Sequence, residues 1–245
     1  MKAIVVLRPR ESKRLIAKAV VALPEVLRAK RKGIICVSMG HTNAYVVEEL
    51  IGENINKEKY MAGYIDGGEL RVLAKEDRIP PFVMVNGKIS SISPDDALNK
   101  MRSGDVFIKG ANAVDPDGFV GVLLASERGG TIGDIIGKVM AKGINLVVPV
   151  GLQKLVPSVV QAADALGIYK VDEAFGYKVG MMPVTNAKVV TEVDAFGMLF
   201  GLNAVLVSAG GIGDSEGAVV LALTGSEHQI KNALSTLREI RETEY

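Results

Sequence analysis

The sequence has little cysteine, histidine or aromatic residue content. Of 245 residues one is Cys, two are His, none is Trp and 5% are aromatic. The single Cys36 excludes a disulfide within the chain, and its place in an apolar run favours a buried, unreactive thiol. So few His and Cys residues give no basis for a metal site of these ligands, and no cofactor is assigned. A carboxylate Mg²⁺ site around Asp115, Asp117 and Glu127 stays open.

The sequence also lacks an excess of charge and long apolar runs. A net charge of +1 provides no field for nucleic acid or an acidic membrane. The N-terminal apolar run is too short for a signal peptide, and 18 uncharged apolar residues never occur together. These absences predict a soluble cytoplasmic protein without a nucleic-acid or membrane partner. The partner predicted below, from the turn at Gly40, is a small anionic metabolite. A hydrophobic content of 48% and a mean hydropathy of +0.25 further predict a homo-oligomer.

Short β-branched runs alternate with helical patterns. Runs such as "GIICVS" and "INLVVPV" lack polar alternation, which is typical of strands buried on both faces of a parallel sheet. Residues 1–170 are therefore predicted to form a Rossmann-like α/β domain, with an antiparallel excursion near 60–92. The order α-β-β-α predicts a small C-terminal α+β domain over 171–245, half of a ferredoxin-like unit.

The glycine-rich loop at 210–217 matches two motifs on paper. It contains the GxSxG pattern of a nucleophile elbow and nearly contains a dinucleotide fingerprint. Both motifs need a helix after the loop, because a helix N-terminus supplies their N–H donors. Strand-like "AVVLALTG" follows instead, which favours a flexible or ligand-covering loop.

The stretch "GHTNAYVVEEL" is typical of a strand-to-helix turn. Gly40 permits a tight turn, and the following helix presents free N–H groups at the positive end of its dipole. Thr42 or Asn43 adds a hydroxyl or amide donor, so the turn predicts a phosphate or carboxylate site. Two alternatives stay open: Thr42 or Asn43 only caps the helix, and His41 either donates to the anion or is exposed.

A second informative stretch runs from Ser103 to Gly151. Loops at the carboxyl ends of neighbouring parallel strands emerge at one edge of the sheet, so residues 39–43, 110–118 and 126–134 are predicted to line one pocket. The predicted ligand-binding residues are Gly40, His41, Thr42, Asn43, Gly110, Asn112, Gly130 and Thr131.

Two segments carry a family resemblance. "VSMGHTNAYVVEEL" resembles the phosphate turn of ribose-5-phosphate isomerases, and "DVFIKGANAVDPDG" with "GGTIGDIIGKVMAKGINLVVPVG" resembles a later loop, helix and strand of the same superfamily. That superfamily also contains glucosamine-6-phosphate deaminases and CoA-transferases. The resemblance spans about residues 33–160 and implies a Rossmann-like fold with a bound sugar phosphate.

The chain departs from the isomerase pattern at two acids, since Lys109 and Asn112 stand where the isomerases have Asp. Enediol chemistry needs a carboxylate to move a proton, so Glu127 and Asp115 are the predicted catalytic residues and Asn112 is an orienting group. "ASERGG" weakly resembles the nucleophile stretch of CoA-transferases, although a solvated Glu127–Arg128 pair is favoured over a nucleophile because such loop pairs are common.

Three functions therefore stay open at this point. The first is an isomerase-like or transferase-like enzyme acting on a small phosphorylated or carboxylated metabolite. The second is an acyl- or CoA-transferring enzyme with Glu127 as its nucleophile. The third is a non-catalytic metabolite-sensing or assembly module on the same fold.

Overall fold

The computed structural model describes residues 1–244, which form eight α-helices and fourteen β-strands. The helices are α1 (Pro9–Ala22), α2 (Pro24–Arg31), α3 (His41–Ile51), α4 (Pro94–Lys100), α5 (Gly130–Lys142), α6 (Val159–Ala165), α7 (Glu192–Phe200) and α8 (Glu227–Thr243). The strands are β1 (Lys2–Leu7), β2 (Ile34–Val37), β3 (Gly63–Asp66), β4 (Glu69–Val72), β5 (Phe82–Val85), β6 (Lys88–Ile89), β7 (Val106–Ile108), β8 (Ala113–Val114), β9 (Val120–Leu124), β10 (Asn145–Pro149), β11 (Gly180–Val184), β12 (Lys188–Val190), β13 (Asn203–Gly210) and β14 (Ala218–Thr224). This mixture confirms the predicted α/β class.

A six-stranded mixed sheet carries the predicted buried strands. Its order is β12-β10-β7-β2-β5-β6, with parallel pairing from β12 through β2 and antiparallel pairing of β5 with both of its neighbours. Alternate residues of β2 face opposite ways: Ile35 and Val37 belong to one apolar cluster and Cys36 to another. The sheet is thus covered on both faces, as its uninterrupted apolar strands indicate.

A second sheet joins the two ends of the described chain. Its order is β1-β14-β13, and β1 pairs antiparallel with β14 along its whole length, from Lys2 opposite Thr224 to Leu7 opposite Val219. The N-terminal strand therefore shares a sheet with two C-terminal strands, while β12 belongs to the six-stranded sheet. The division of the chain at residue 170 stays a prediction.

Helix α1 packs at the centre of these layers, against α3, α7 and α8. Pro9 at its first position fixes a helical backbone angle, and the Glu11 carboxylate accepts from the Arg8 backbone N–H at 3.0 Å and from Arg8 Nε at 2.8 Å. Leu15 and Ile16 are fully buried in the larger apolar cluster. Burying each such side chain contributes about 1.5–3 kcal/mol, so α1 is held mainly by packing.

Several local structures follow from a few neighbouring residues. Asn86 and Gly87 have φ angles of 49° and 78°, which build the tight turn between β5 and β6. Thr191 caps α7 with a reciprocal capping box, and the order α7-β13-β14-α8 follows. Burial raises the pKa of Cys36 to about 12, as expected of an inert thiol.

Two further features bear on the alternatives raised by the sequence. Strand β14, and not a helix, follows the glycine-rich loop, so the loop lacks the helix N-terminus that a nucleophile elbow or dinucleotide site requires. Within residues 1–244, every helix is too short or too polar to cross a bilayer.

Candidate functional site

The carboxyl ends of β2, β7, β10 and β12 meet at one edge of the six-stranded sheet, because these four strands run parallel and adjacent. Residues that follow them in the chain are brought together there, as expected for ligand sites in open α/β sheets. The functional candidates come from the segments that leave these strands and from α1, which packs against β10 and β12.

The turn after β2 is built differently from the sequence prediction. Gly40 is the N-cap of α3, but its φ of 161° is extended backbone that other residues also adopt. A Cβ at Gly40 would lie no closer than 3.6 Å to its nearest neighbour, the Asn43 amide. The Gly40 N–H donates to the Tyr60 carbonyl at 2.8 Å. The turn does not depend on glycine, and Gly40 N–H is not free to bind an anion.

The next three residues keep their donors available. Within residues 1–244, the backbone N–H groups of His41, Thr42 and Asn43 have no hydrogen-bond acceptor. The capping interpretation of Thr42 and Asn43 is wrong, because the N-cap is Gly40 and no side chain caps the helix. The Asn43 amide instead donates to the Ser38 carbonyl at 2.8 Å, and its own Oδ1 is buried without a partner in the described chain. Three oriented donors thus face the sheet edge.

Three lysines form what we call the basic cluster: Lys13 on α1, Lys109 directly after β7, and Lys154 in the 3₁₀ turn after β10. All three are half-buried. Lys109 Nζ donates to the Gly110 carbonyl at 2.9 Å and Lys154 Nζ to the Ala111 carbonyl at 2.8 Å. In the described part of the chain, no carboxylate oxygen lies within 4.0 Å of any of the three ammonium groups. The cluster is therefore not neutralised by an ion pair, and the one compensating charge is that of Glu192, which opposes the lowering of the Lys154 pKa by burial.

The pKa values of the three lysines are lowered in this environment. Burial, followed by the charges of Lys154 and Arg10, lowers the pKa of Lys13 to about 8. Burial and then Lys154 lower the pKa of Lys109 to about 8, and burial lowers that of Lys154. Desolvation and neighbouring like charges both disfavour the protonated form of an amine. A bound anion would offset both effects.

His41 lies within the same positive field. Burial lowers its pKa to about 4, and the largest charge contribution comes from Lys13, followed by Lys57 and Lys154. Its ring contacts Tyr45 edge-on, with 5.7 Å between centroids. His41 is therefore neutral near pH 7 and offers one N–H donor and one acceptor, and its donation to an anion stays a prediction.

Glu192, the first residue of α7, is a site residue that the sequence did not indicate. Its Oε2 accepts from the Leu152 N–H at 2.8 Å, and its buried Oε1 has no partner among residues 1–244. Burial raises the pKa of Glu192, although hydrogen bonds from Leu152 and Ser12 oppose the shift. A Cβ at Gly151 would lie 3.2 Å from Oε1, so glycine leaves room for this carboxyl. The sequence signal was an acid just after a strand of the sheet.

The two predicted catalytic acids make other contacts. Asp115 is buried, and its oxygens accept from the Phe119 N–H and the Val159 N–H, each at 2.9 Å. Glu127 is exposed and accepts a hydrogen bond from the Tyr169 hydroxyl. Neither contact involves the basic cluster, and the catalytic role of both acids stays a prediction.

The loop neighbours of these acids are also engaged elsewhere. Asn112 is exposed, and its Oδ1 accepts from the Leu123 N–H at 3.0 Å, across the turn between β8 and β9. Arg128 pairs with Asp134 at 3.5 Å rather than with Glu127. The sequence-based picture of a solvated Glu127–Arg128 pair is therefore wrong.

The remaining predicted ligand-binding residues divide into two groups. Gly110 borders the turn after β2, since a Cβ there would lie 3.6 Å from the unpartnered Asn43 Oδ1. Gly130 begins α5 with a φ of 55°, and exposed Thr131 lines a cleft of about 130 Å³ that Ser38 also lines. Gly110 thus lies beside the turn after β2, and Thr131 lies in a cleft beside the same strand. Within residues 1–244, no group of three His, Cys, Asp or Glu side chains could hold a metal ion.

Comparison with known proteins gives one distant likeness. No protein-family model matches the chain, and no match is found among curated proteins. A solved structure of a D-ribose-5-phosphate isomerase in complex with phospho-erythronic acid is similar over 91% of this chain and 84% of that one, with 15% sequence identity and a TM-score of 0.30. A likeness this distant does not transfer function from that enzyme to this chain.

Proposed function

We propose that the chain binds, at the carboxyl edge of its six-stranded sheet, a small metabolite that carries a phosphate or carboxylate group, and that it transforms this metabolite. The observation that carries the proposal is the basic cluster. The charge of Lys154 acts on both Lys13 and Lys109, all three lysines are half-buried, and none of them forms an ion pair with a carboxylate of the described chain, although the charge of Glu192 acts on Lys154. The burial and mutual repulsion of these charges destabilise the protein without a ligand, and a bound anion would offset both effects.

The free N–H groups of His41, Thr42 and Asn43 add a second source of anion affinity. They stand at the positive end of α3, where a helix dipole stabilises an anion by about 0.3–1 kcal/mol. A single ammonium group 4 Å from a unit negative charge contributes about 4 kcal/mol at an effective dielectric constant of about 20. The lysines therefore supply most of the affinity for the anion, and the N–H groups of the helix terminus orient it.

Two buried oxygens support a ligand that also bears hydroxyl groups. Asn43 Oδ1 and Glu192 Oε1 are the buried side-chain polar atoms without a partner among residues 1–244, and both belong to segments at the same edge of the sheet. A buried acceptor without a donor costs about 1–3 kcal/mol. A hydroxyl group of the bound metabolite is a donor that suits Asn43 Oδ1.

One alternative retains a specific observation in its favour. A non-catalytic metabolite-sensing module would use the same anion site, and both oxygens of Asp115 are already engaged by backbone N–H groups. No corresponding observation supports acyl transfer by Glu127, whose exposed carboxylate contacts Tyr169. Turnover of a bound metabolite distinguishes the enzyme from the sensing module.

The proposal extends to the setting of the site. We infer a Rossmann-like arrangement of β2, β7 and β10, a C-terminal unit over residues 171–245, and a cytoplasmic homo-oligomer. The basis is the strand order of the six-stranded sheet, the α7-β13-β14-α8 sequence of elements, and the apolar composition.

The test is calorimetric titration with inorganic phosphate, followed by a thermal-shift screen of sugar phosphates and carboxylated sugars. Phosphate is expected to bind the native protein, and Lys154→Met is expected to weaken it at least about ten-fold through the loss of one charged contact. Lys18→Met is the matched control, because Lys18 lies on α1 but pairs with Glu49 at 3.4 Å. Equal phosphate binding by the native protein and Lys154→Met would contradict the proposal.

A further inference from the structure

We propose that a second copy of this chain packs face to face against the outer face of the sheet β1-β14-β13. The outer face consists of six apolar side chains: Ile4 and Val6 of β1, Val205 and Val207 of β13, and Val220 and Ala222 of β14. The inference deepens the proposed function by naming the surface through which the homo-oligomer forms, and it rests on that part of the proposal. The anion site lies at the edge of the other sheet and is not part of this surface.

The strand register places the side chains of the outer face next to one another. Ile4 lies opposite Ala222, and Ala222 lies opposite Val205 on its other side. Val6 lies opposite Val220 in the next row. Directly opposite side chains in a sheet are about 4.5–5.5 Å apart, so these residues form one continuous apolar surface across all three strands.

Elements of residues 1–244 cover only one face of this sheet. The alternate residues Val5 and Leu221 are buried in the larger apolar cluster, on the side where α1 and α7 pack. On the outer face, Ile4 is 73% exposed and Val205 is 53% exposed. An antiparallel sheet with a solvated face normally alternates apolar with polar residues, whereas the central rows of this sheet are apolar on both faces. The sheet therefore has the side chains of one that is covered on both sides.

The lack of charge on the outer face favours a second copy as its cover. None of the six side chains is charged, so a copy related by a two-fold axis brings no like charges together at the centre of the contact. Two identical sheets also have the same twist, so they can pack with their strands about 30° apart and about 10 Å between the sheets. A partner chosen by its charge would find no complementary group on this face.

Both edges of the sheet are protected against strand addition, which favours packing on the face. At β1, a charged group lies against the backbone, because Arg241 Nη2 donates to the Val6 carbonyl at 3.1 Å. At β13, a β-bulge between Leu206 and Ser208 interrupts the register. Charged groups and bulges are common means of preventing an edge strand from pairing with another chain. The outer face carries no comparable protection.

The size of the outer face suits the centre of an interface. Strands lie about 4.8 Å apart and rise about 3.4 Å per residue, so three strands of at least six residues give roughly 300 Å² of flat face. Exposed apolar patches of a few hundred Å² mark interaction sites. A standard interface buries about 800 Å² per partner, so the surroundings of the face supply the rim. Met1 and Ile212, at opposite ends of the sheet, are exposed apolar residues that can contribute to it.

The test is sedimentation equilibrium of the native protein and of two lysine variants, at several micromolar concentrations. The native protein should be a dimer. Ile4→Lys should raise the dissociation constant of the dimer at least about 100-fold, because each copy brings an unpaired charge into an apolar contact. Ile65→Lys is the matched control: Ile65 is 74% exposed, close to the 73% of Ile4, but lies on β3 in a different sheet. This control should form dimers like the native protein.

A folding measurement separates loss of the dimer from loss of the fold. Ile4 is exposed in the single chain, so circular dichroism should show that Ile4→Lys is folded. If that variant does not fold, Val205→Lys makes the same test from β13, on the other side of β14. A native protein that is monomeric at every concentration, or a dimer whose dissociation constant is unchanged in the folded variant, would overturn the inference.

Failure of this inference and failure of the anion site are distinguishable. A monomer that binds phosphate in calorimetry refutes the outer face and the homo-oligomer, while the anion site stands. A dimer that Ile4→Lys dissociates, but that does not bind phosphate, refutes the anion site alone. A dimer that resists both outer-face variants shows that the subunits meet on another surface.

Discussion

Lys109→Met should make the protein more stable and bind anions less well. Methionine keeps most of the unbranched side chain and removes a half-buried cation that has no carboxylate partner in the described chain. The pKa of Lys109 falls from 10.5 to about 8, with burial as the main cause and Lys154 as the second. A shift of that size corresponds to about 3 kcal/mol, which partial exposure reduces to about 1–3 kcal/mol.

The stabilisation expected from Lys109→Met depends on pH. Between the folded pKa of about 8 and the unfolded pKa of 10.5, the unfolded chain binds more protons at Lys109 than the folded chain does. Stability contributed by this group therefore rises with pH across that window. At about pH 7 the native protein carries the full cost of the charged lysine, and at about pH 10 most of that cost is gone. The stabilisation by Lys109→Met should shrink accordingly.

Urea unfolding followed by circular dichroism measures this directly, at about pH 7 and at about pH 10. Repeating it with added phosphate should stabilise the native protein more than the variant, because only the native protein has the full cluster. Lys18→Met is the control and should show neither effect. A variant that is less stable than the native protein at about pH 7, or equally stabilised by phosphate, would refute this account of Lys109.

Four further predictions concern single residues. Arg14→Leu should lower the free energy of unfolding, measured in urea, by about 3 kcal/mol, because three carboxylates at 2.6–3.0 Å lose their shared cation; an unchanged unfolding midpoint would contradict this. Thr42→Ala should weaken phosphate binding by about 1 kcal/mol if the hydroxyl donates, as calorimetry can show. Cys36, whose pKa is raised to about 12 by burial, should resist thiol reagents until urea unfolds the protein; rapid labelling of the native state would show otherwise. Val205→Lys places a charge on the exposed apolar face of β13 and should shift light scattering toward a smaller species if that face joins subunits; an unchanged mass would exclude this face.

Local sequence determined much of the secondary structure. Thr191 starts α7, Asn86 and Gly87 turn β5 into β6, and Pro94 begins α4 after the cap Ser93. These signals act within a few residues, through a single hydrogen bond or a backbone preference, so they can be interpreted without the rest of the fold. The apolar strands likewise predicted a sheet covered on both faces.

The tertiary structure decided which polar groups meet. Lys13, Lys109 and Lys154 are brought together by the packing of α1 against the sheet and by the order of β7 and β10. Periodicity does not encode such long-range distances, so no sequence pattern indicated that these lysines belong together. It suggested Asp115 as a catalytic acid, but only the fold shows that backbone N–H groups occupy both of its oxygens.

The sequence by itself determined the strand-to-helix turn at residues 40–43 and its place at the carboxyl edge of a sheet, because both follow from local pattern and the alternation of strands and helices. Only the tertiary structure decided that Gly40 N–H is taken by Tyr60, that Glu192 is buried at the same edge, and that β1 pairs with β14. Hydrogen bonding, burial and charge all depend on which groups come within a few ångströms of one another. For residues far apart in the chain, that distance is a property of the packed fold.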